Sequence, residues 1–240
     1  MKLSVVIPAY NEERLLAGTL ARIRESMQGL RDPASAELVV CDNNSTDRTA
    51  EIARAAGATV VFEPHNQISR ARNRGASVAR GEWLLFIDAD SAPSPELFRD
   101  LERAMDSGAV LGGGSTILDD SSSFGYRFSI RCWNRISRLT RWAAGSFIYC
   151  ERAAFEALGG FSQELYASEE LDFSRRLKKL ARQRGRRVEI LHRHPLHTSD
   201  RKVHLYGWKT IGKAAASFLV HPRRKLRSAA ACFPWYDGKR

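Results

Sequence analysis

The sequence has few cysteines and no long apolar run. Its 240 residues include four cysteines, and no two of them lie close together: Cys41, Cys132, Cys150 and Cys232. This spacing excludes a CxxC metal or redox motif and fits a reducing compartment. No stretch approaches the ~18 consecutive apolar residues of a membrane span, and no signal-peptide pattern precedes the first apolar strand. We therefore expect a cytoplasmic protein rather than a secreted or membrane-spanning one.

Two glycine motifs of nucleotide-binding proteins are also missing. Neither GxGxxG nor GxxxxGK[ST] occurs in the chain, which excludes the dinucleotide fingerprint and the P-loop. A diphosphate bound without a glycine cradle needs another counter-charge. A divalent cation held by carboxylates is one way to supply it.

The charge is distributed unevenly along a chain that is 43% hydrophobic and 27% charged. Residues 1–120 carry 13 Lys and Arg against 18 Asp and Glu, a net −5, whereas residues 121–240 carry 25 against 9, a net +16. This asymmetry indicates an acidic partner for the second half. Eight of the basic side chains are concentrated in one short region: Arg175, Arg176, Lys178, Lys179, Arg182, Arg184, Arg186 and Arg187.

These basic residues have more than one interpretation. The first is a solvated helix face, and the second is attraction to an anionic membrane surface or a phosphorylated acceptor. A nucleic-acid partner is not expected, because no zinc-finger or RRM signature accompanies the charge.

The hydrophobic pattern predicts alternating strands and helices in the first half. We predict strands at 3–8, 37–42, 58–62 and 83–88, with helices at 12–27, from the 43–47 turn to 56, and at 67–79. Near-continuous apolar strands are typical of a parallel sheet covered on both faces. The predicted fold is therefore α/β, with a doubly wound, mostly parallel nucleotide-binding sheet.

The second half has a mixed α+β pattern. The predictions there are a helix at 95–105, a glycine turn at 112–114, a flexible link at 121–123, a basic aromatic helix at 126–139, a strand at 145–150, short and long helices at 153–158 and 169–184, a strand at 188–191, and a basic helical extension at 201–240.

Polar side chains follow three of the predicted parallel strands. Residues 8–12 follow the first strand, Asp42 ends the second, and Asp88 and Asp90 end the fourth. Ligands of open parallel sheets bind beyond the carboxyl ends of the strands. Since hard divalent cations prefer oxygen ligands, the two aspartates after the fourth strand are candidate metal ligands. Asp47 is better explained as a helix-capping residue.

Six segments in this order resemble the family 2 glycosyltransferases, the inverting GT-A type. The segments are Val5-Val-Ile-Pro-Ala-Tyr-Asn-Glu-Glu13, Val39-Val-Cys-Asp-Asn-Asn-Ser-Thr-Asp47, Ala71-Arg-Asn-Arg-Gly75, Trp83-Leu-Leu-Phe-Ile-Asp-Ala-Asp90, Gly145-Ser-Phe with Phe155-Glu-Ala-Leu-Gly-Gly-Phe161, and Glu169-Glu-Leu-Asp-Phe-Ser-Arg-Arg-Leu177. The resemblance covers about residues 3–198. It implies a single GT-A domain over 1–200, with a nucleotide-sugar-binding half at 1–90 and an acceptor and catalytic half at 91–200.

The resemblance also implies roles for individual residues. The donor contacts would be Pro8, Tyr10 and Glu12 along the nucleoside pocket, Asp42 at the base, Arg72 near the nucleotide, and Asp88 with Ala89 at the ribose side. The metal ligands, for Mn²⁺ or Mg²⁺, would be Asp90, Asp88 and His197. As alternatives, the histidines at 192, 194 and 197 form a separate metal cluster or are ordinary surface residues.

The catalytic base of the family lies in a Glu-Asp motif at a helix start, and here the motif reads Glu169-Glu170. The second carboxylate is therefore one carbon longer. Inverting transfer needs one base to take the acceptor proton while the departing diphosphate is stabilised, and the resemblance implies Glu170 for this role, with Glu169 second. Both residues also suit the positive N-terminus of a helix, and the two interpretations are compatible.

The resemblance implies a transferase that moves one sugar from a UDP- or GDP-sugar, because the QxxRW motif of processive synthases is absent. The acceptor is unidentified. A phosphorylated or lipid-linked acceptor, or peripheral contact with the anionic inner face of a membrane, would suit the basic segments 175–187 and 223–227. Two alternatives remain: a nucleotidyltransferase, whose glycine- and lysine/arginine-rich loop is not found at 8–14, and a non-catalytic module that binds nucleotides or acidic surfaces.

Overall fold

The computed structural model describes residues 1–118, 124–143 and 145–198. These residues form eight strands: β1 (Leu3–Ala9), β2 (Ala36–Asp42), β3 (Thr59–Phe62), β4 (Trp83–Ile87), β5 (Ser91–Ala92), β6 (Val110–Leu118), β7 (Phe147–Glu151) and β8 (Arg187–Thr198). They also form seven α-helices: α1 (Leu16–Met27), α2 (Thr49–Ala55), α3 (Ile68–Val78), α4 (Pro95–Asp106), α5 (Phe124–Thr140), α6 (Arg152–Ala157) and α7 (Glu169–Gln183). Among these elements, no helix is both long and apolar enough to cross a membrane.

The strands form one mixed sheet in the order β3-β2-β1-β4-β7-β6-β8-β5. The first four are parallel to one another, β7 runs antiparallel between β4 and β6, and β8 is parallel to β6. The short β5 is antiparallel to β8. Four of the seven strand pairings are therefore parallel and three are antiparallel. The predicted α/β fold with a mostly parallel sheet is therefore confirmed, and the second half adds the antiparallel part.

Both faces of the sheet are covered, as the apolar strands predicted. One core cluster packs α1 and α4 on one face, and the other packs α3, α6 and α7 on the opposite face. Alternate residues of β1 divide between them, with Val5 and Ile7 in the first cluster and Val6 in the second. This is the period-2 alternation of a strand that is buried on both sides.

The predicted glycine turn at 112–114 is wrong, because these residues lie inside the nine-residue strand β6. A Cβ atom at Gly112 or Gly113 would run into the backbone carbonyl of Tyr149 or Glu189 on the neighbouring strands. A Cβ at Gly114 would lie 2.8 Å from that of Ala143. The glycines therefore permit close approach of backbones in a sheet, which sequence alone does not distinguish from a turn.

The last strand is longer than the pattern predicted. β8 continues from the predicted 188–191 to Thr198, where it pairs with β5 directly after the end of β4. The strand thereby reaches the edge of the sheet where β1, β2 and β4 end. The predicted link at 121–123 and the extension at 201–240 lie outside the described residues.

Candidate active site

The register of the sheet brings the three predicted strand ends together. Ala9 of β1 is opposite Asp42 of β2, and Val6 of β1 is opposite Phe86 of β4, two residues before Asp88. Since β1 lies between β2 and β4, the polar residues that follow all three strands occupy one edge of the sheet. The sequence prediction of a polar crevice at this edge is geometrically consistent with the fold.

A buried arginine joins this edge to the start of α7. Arg72 is 1% exposed, and its Nη1 donates to Oε1 of both Glu169 and Glu170, each at 3.1 Å. Its Nη2 donates to Oδ1 of Asp88, also at 3.1 Å, and the guanidinium lies 5.3 Å from the centre of the Phe161 ring. One cation therefore holds carboxylates from β4 and α7 in a fixed relation.

The two glutamates of this cluster differ in exposure, and burial affects the pKa of Glu169. Burial, and then the neighbouring charge of Glu170, raise the pKa of Glu169 to about 8 despite the opposing effect of Arg72. Glu169 is 2% exposed, whereas Glu170 is 18% exposed. Burial alone would lower the pKa of Arg72, but the three carboxylates outweigh it and raise that pKa further. The accessible carboxylate of the pair is thus Glu170.

Replacing Glu169 by Gln should change the pH dependence of stability. The pKa of Glu169 is about 8 in the folded chain against an ordinary 4.5, so the folded state binds more protons between these values and stability falls as pH rises through that window. The Glu169→Gln variant lacks this loss of stability at rising pH. The melting temperature of the variant minus that of the parent should therefore rise between about pH 5 and pH 9. The rise should be about 2–4 °C for each kcal/mol of unfolding free energy that the parent loses over this range.

Scanning calorimetry across that pH range measures the effect, with Glu156→Gln as the matched control. Glu156 is an exposed carboxylate on α6, so its removal should leave the pH profile unchanged. A constant difference between Glu169→Gln and the parent at all pH values would contradict the raised pKa.

The loop after β4 is fixed by hydroxyl groups. The backbone N–H of Asp88 donates to Oγ of Ser146 at 3.1 Å, and the hydroxyls of Ser146 and Ser91 contact each other. Oγ1 of Thr19 on α1 donates to the carbonyl of Ala89 at 2.7 Å. These bonds set the position of the Asp88 and Asp90 segment, and both aspartate side chains are half-buried.

The segment after β1 is held against the segment after β2. The N–H of Glu12 donates to Oγ1 of Thr49 at 2.8 Å, and the side chain of Glu12 is buried. The amide oxygen of Asn11 accepts from the N–H of Thr46 at 2.8 Å. Oδ1 of Asp42 accepts from the N–H of Ser45 at 3.0 Å. The predicted nucleoside-pocket residues therefore lie on two interlocked loops, with Pro8 buried in β1 and Tyr10 half-buried.

The capping interpretation of Asp47 agrees with the structure. Its Oδ1 accepts from the N–H of Thr49 at 2.9 Å, and its Oδ2 accepts from the N–H of Glu13 at 3.1 Å. Hydrogen bonds to Thr49 and Glu13 lower the pKa of Asp47 against the effect of burial, which would raise it. Asp47 therefore supports the loop that precedes α2.

Two amide side chains that sequence reasoning missed connect the two halves of the site. Asn73 on α3 donates to the carbonyl of Phe161 and accepts from its N–H, each at 2.9 Å. Nε2 of Gln67 donates to the carbonyls of Gln163 and Leu165. These four bonds fix the loop that leads to α7. Asn73 lies inside the Ala71–Gly75 segment. Its position next to Arg72 in the sequence is the signal that could have identified it as a site residue.

The start of α7 has an unusual backbone. Ser168, the residue before the helix, has a φ of 62° and makes no side-chain capping bond. A left-handed conformation at a non-glycine residue is costly and tends to occur where the surrounding structure enforces it. Ser168 directly precedes the two glutamates that accept hydrogen bonds from Arg72.

The histidine predictions have different outcomes. His194 contacts the buried carboxylate of Asp100 on α4, with Nδ1 2.9 Å from Oδ2. His197 is exposed, and its backbone pairs with Ala92, two residues after Asp90. Within the described residues, no three His, Cys, Asp or Glu side chains form a preassembled metal-binding group. The separate histidine cluster is therefore not formed, and a ligand role for His197 stays a prediction.

Comparison with known proteins gives the same family as the sequence motifs. The model of glycosyl transferase family 2 matches residues 4–159. A dolichol-phosphate mannosyltransferase of Pyrococcus furiosus is 34% identical over 120 residues, which are 48% of this chain and 33% of that protein. The chain thus spans about a third of the length of this curated relative.

Two solved structures share the fold at 20% sequence identity. A mannosyltransferase from Pyrobaculum calidifontis, in complex with GDP-Man and Mn²⁺, matches 98% of this chain and 67% of its own with a TM-score of 0.68. Glucosyl-3-phosphoglycerate synthase from Mycobacterium tuberculosis, in complex with Mn²⁺, UDP and phosphoglyceric acid, matches 90% of this chain and 77% of its own with a TM-score of 0.60. These neighbours are GT-A enzymes. Because the family model matches well over half of its residues, this chain belongs to glycosyl transferase family 2.

Proposed function

We propose that this protein transfers a single sugar from a nucleotide-diphosphate sugar to an acceptor hydroxyl with inversion at the anomeric carbon. The observation that carries the proposal is the Arg72 cluster, in which Asp88 from the donor edge and Glu170 from α7 are bound to one buried guanidinium. A donor placed beyond β4 would then have a carboxylate close to its sugar. Glu170 rather than Glu169 is the proposed base, because Glu169 is buried and its pKa is raised.

The proposed reaction is a single displacement. The acceptor oxygen forms a bond to the anomeric carbon as the bond from that carbon to the diphosphate oxygen breaks, and the carboxylate of Glu170 takes the acceptor proton. Arg72 orients the base, since its Nη1 is 3.1 Å from Oε1 of Glu170. Glu169 acts as a positioning residue through the same guanidinium.

Asp88 and Asp90 suit a divalent cation, even though no complete ligand group exists among the described residues. Mg²⁺ and similar cations in nucleotide sites take one or two carboxylates and complete their shell with phosphate oxygens and water. Two carboxylates with a single residue between them, at the end of a buried strand, provide such a partial set. When bound, the cation would offset the charge that develops on the departing diphosphate. His197 is proposed as a further ligand because its backbone lies beside the same loop.

The donor and acceptor classes follow from charge and from the neighbours. Fold neighbours were solved with UDP-GlcNAc, GDP-Man and UDP-Glc, so we propose a UDP- or GDP-sugar donor with Mn²⁺ or Mg²⁺. The surplus positive charge of residues 121–240 suits an anionic acceptor, phosphorylated or lipid-linked. We further propose that residues 1–90 bind the donor, that 91–200 bind the acceptor within one domain, and that 201–240 form an extension.

Titration of the protein with UDP and with GDP, each with and without Mn²⁺, tests donor binding. We expect one nucleotide to bind at least ~10-fold more tightly in the presence of Mn²⁺, because the cation links the diphosphate to the two aspartates. Isothermal calorimetry measures it, with Ca²⁺ and Zn²⁺ as comparison cations.

A second measurement separates the enzyme from its alternatives. A panel of nucleotide sugars, assayed for metal-dependent hydrolysis or transfer, should show release of the matching nucleotide diphosphate. Binding without turnover on every donor would favour a non-catalytic module, and release of pyrophosphate from nucleoside triphosphates would favour a nucleotidyltransferase.

A further inference from the structure

Helix α5 exposes two adjacent stripes of side chains. It contains no acidic residue, and four exposed arginines recur at intervals of four, four and three positions: Arg127, Arg131, Arg135 and Arg138. Each is followed directly by a second exposed residue, in the order Phe128, Cys132, Ile136 and Leu139. Because an α-helix turns about 100° per residue, this second set forms an apolar stripe alongside the basic one.

The apolar stripe points away from β6, and the arginine stripe lies on the flank of α5 between the apolar stripe and Asn134. The opposite side of α5 is fixed to β6 by Asn134, whose side chain accepts from the N–H of Ile117 at 3.0 Å and donates to its carbonyl at 2.8 Å. The apolar stripe lies about halfway round the helix from Asn134. Its side chains are correspondingly uncovered, with exposures of 81% for Leu139, 60% for Phe128 and 46% for Ile136.

Among the described residues, the arginines of α5 do not stabilise the fold through ion pairs. Within the described residues, no carboxylate forms an ion pair with any of its four arginines. By contrast, several basic residues of the 175–187 segment have internal partners: Arg176 with Asp172, Arg186 with Glu151, and Arg187 with Glu189. The arginines of α5 are therefore better placed than that segment to meet an external anion.

A basic groove lies beside the C-terminal end of α5. It encloses about 640 Å³ between that helix and the beginning of β8, and its lining includes Arg135, Arg138, Arg141 and Arg187. Glu189 is the acidic residue in the lining, and it is paired with Arg187. The groove has the charge for a phosphate group, and it adjoins the two exposed stripes.

We propose that α5 docks this protein on an anionic lipid bilayer, with its arginines at the head-group phosphates and its apolar stripe in the interface. Exposed apolar side chains beside a row of arginines that form no ion pair with any described residue, on a helix without acidic residues, are the features of interfacial helices. A nucleic acid would match the arginine stripe but would leave the apolar stripe in water. The docking goes beyond the proposed transfer reaction and does not depend on it.

Co-sedimentation of the full chain with vesicles tests this inference. Binding should be weak on phosphatidylcholine, rise with the fraction of phosphatidylglycerol, and fall as salt screens the charges. Replacing the four arginines of α5 by Gln should lower the partition coefficient by up to about fivefold for each charge removed. Replacing Phe128, Ile136 and Leu139 by Ser should lower it at least tenfold, because each buried apolar side chain contributes to interfacial binding.

A variant with the same loss of charge elsewhere is the matched control. Arg22, Arg48, Arg54 and Arg99 are exposed arginines of the first half, and their replacement by Gln should leave vesicle binding within twofold of the parent. Circular dichroism and nucleotide binding check that every variant is folded. Absence of sedimentation on strongly anionic vesicles at low salt overturns the proposal, and so does equal weakening by the control variant. Binding to duplex DNA that the Gln variant loses and the Ser variant keeps, without vesicle binding, assigns the helix to nucleic acid instead.

A fluorescent probe on α5 gives an independent measurement. Cys132 is exposed on the apolar stripe, whereas Cys41 and Cys150 are buried. Burial also raises the pKa of the Cys41 thiol to about 12, so its reactive thiolate is scarce. In a Cys232→Ser chain, an environment-sensitive dye on Cys132 should shift its emission to the blue on anionic vesicles. An unchanged spectrum on vesicles that bind the protein would show that α5 is not the docking element.

Discussion

The Glu170→Gln variant should lose ~10²–10⁴-fold in kcat while its nucleotide-sugar affinity stays nearly unchanged. Gln keeps the shape and an oxygen that can accept from Nη1 of Arg72, now 3.1 Å from Oε1 of Glu170. What it removes is the ability to take a proton from the acceptor hydroxyl. Steady-state kinetics on the matching donor, together with calorimetric titration of the nucleotide, measure the two quantities separately.

Two controls make this result specific. Asp172→Asn removes another carboxylate of the first turn of α7, one that pairs with Arg176 instead of Arg72, and should keep near-parental turnover. Glu169→Gln should cost less than Glu170→Gln, because Glu169 is buried and acts through the guanidinium. The opposite ranking would transfer the base role to Glu169, and near-parental turnover in both variants would refute the mechanism.

The Asp90→Ala variant should lose the metal-dependent part of nucleotide binding and at least ~10²-fold in activity. Asp90 follows β4 at the edge of the sheet and its side chain is half-buried, outside the apolar core. We therefore expect the fold to survive the change. Titration of UDP or GDP with and without Mn²⁺ should give the same affinity in both conditions for this variant.

Glu82→Ala is the matched control for Asp90→Ala. Glu82 is an exposed carboxylate directly before the other end of the same strand β4, so its removal changes the charge equally but leaves the donor edge intact. Parental turnover of Asp90→Ala in a Mn²⁺-dependent assay would show that the two aspartates after β4 are not the metal ligands.

The predictable part of the fold was the part built from local patterns. The strands β1, β2 and β4 were predicted within one residue at each end, because continuous apolar runs bounded by polar turns specify buried strands. The prediction of a turn at glycines 112–114 of β6 was wrong. Glycine is needed there because carbonyls of β7 and β8 approach closely, and these strands are far away in sequence. The length of β8 was missed for a similar reason, because polar His194 and exposed His197 interrupt the apolar pattern.

The candidate site also has a part that the sequence predicted and a part that depends on tertiary contacts. The sequence by itself determined which chemical groups are present: the carboxylates after β4, the two glutamates that begin α7, and the arginine of α3. Only the tertiary structure decided that Arg72 is buried and bonded to Asp88, Glu169 and Glu170 at once. Contacts across 16, 97 and 98 positions depend on strand order and helix packing, and local periodicity contains no information on either. The exposure of the stripes on α5 was decided in the same manner, because a buried amphipathic helix and a surface-docking one share the same pattern until their neighbours are known.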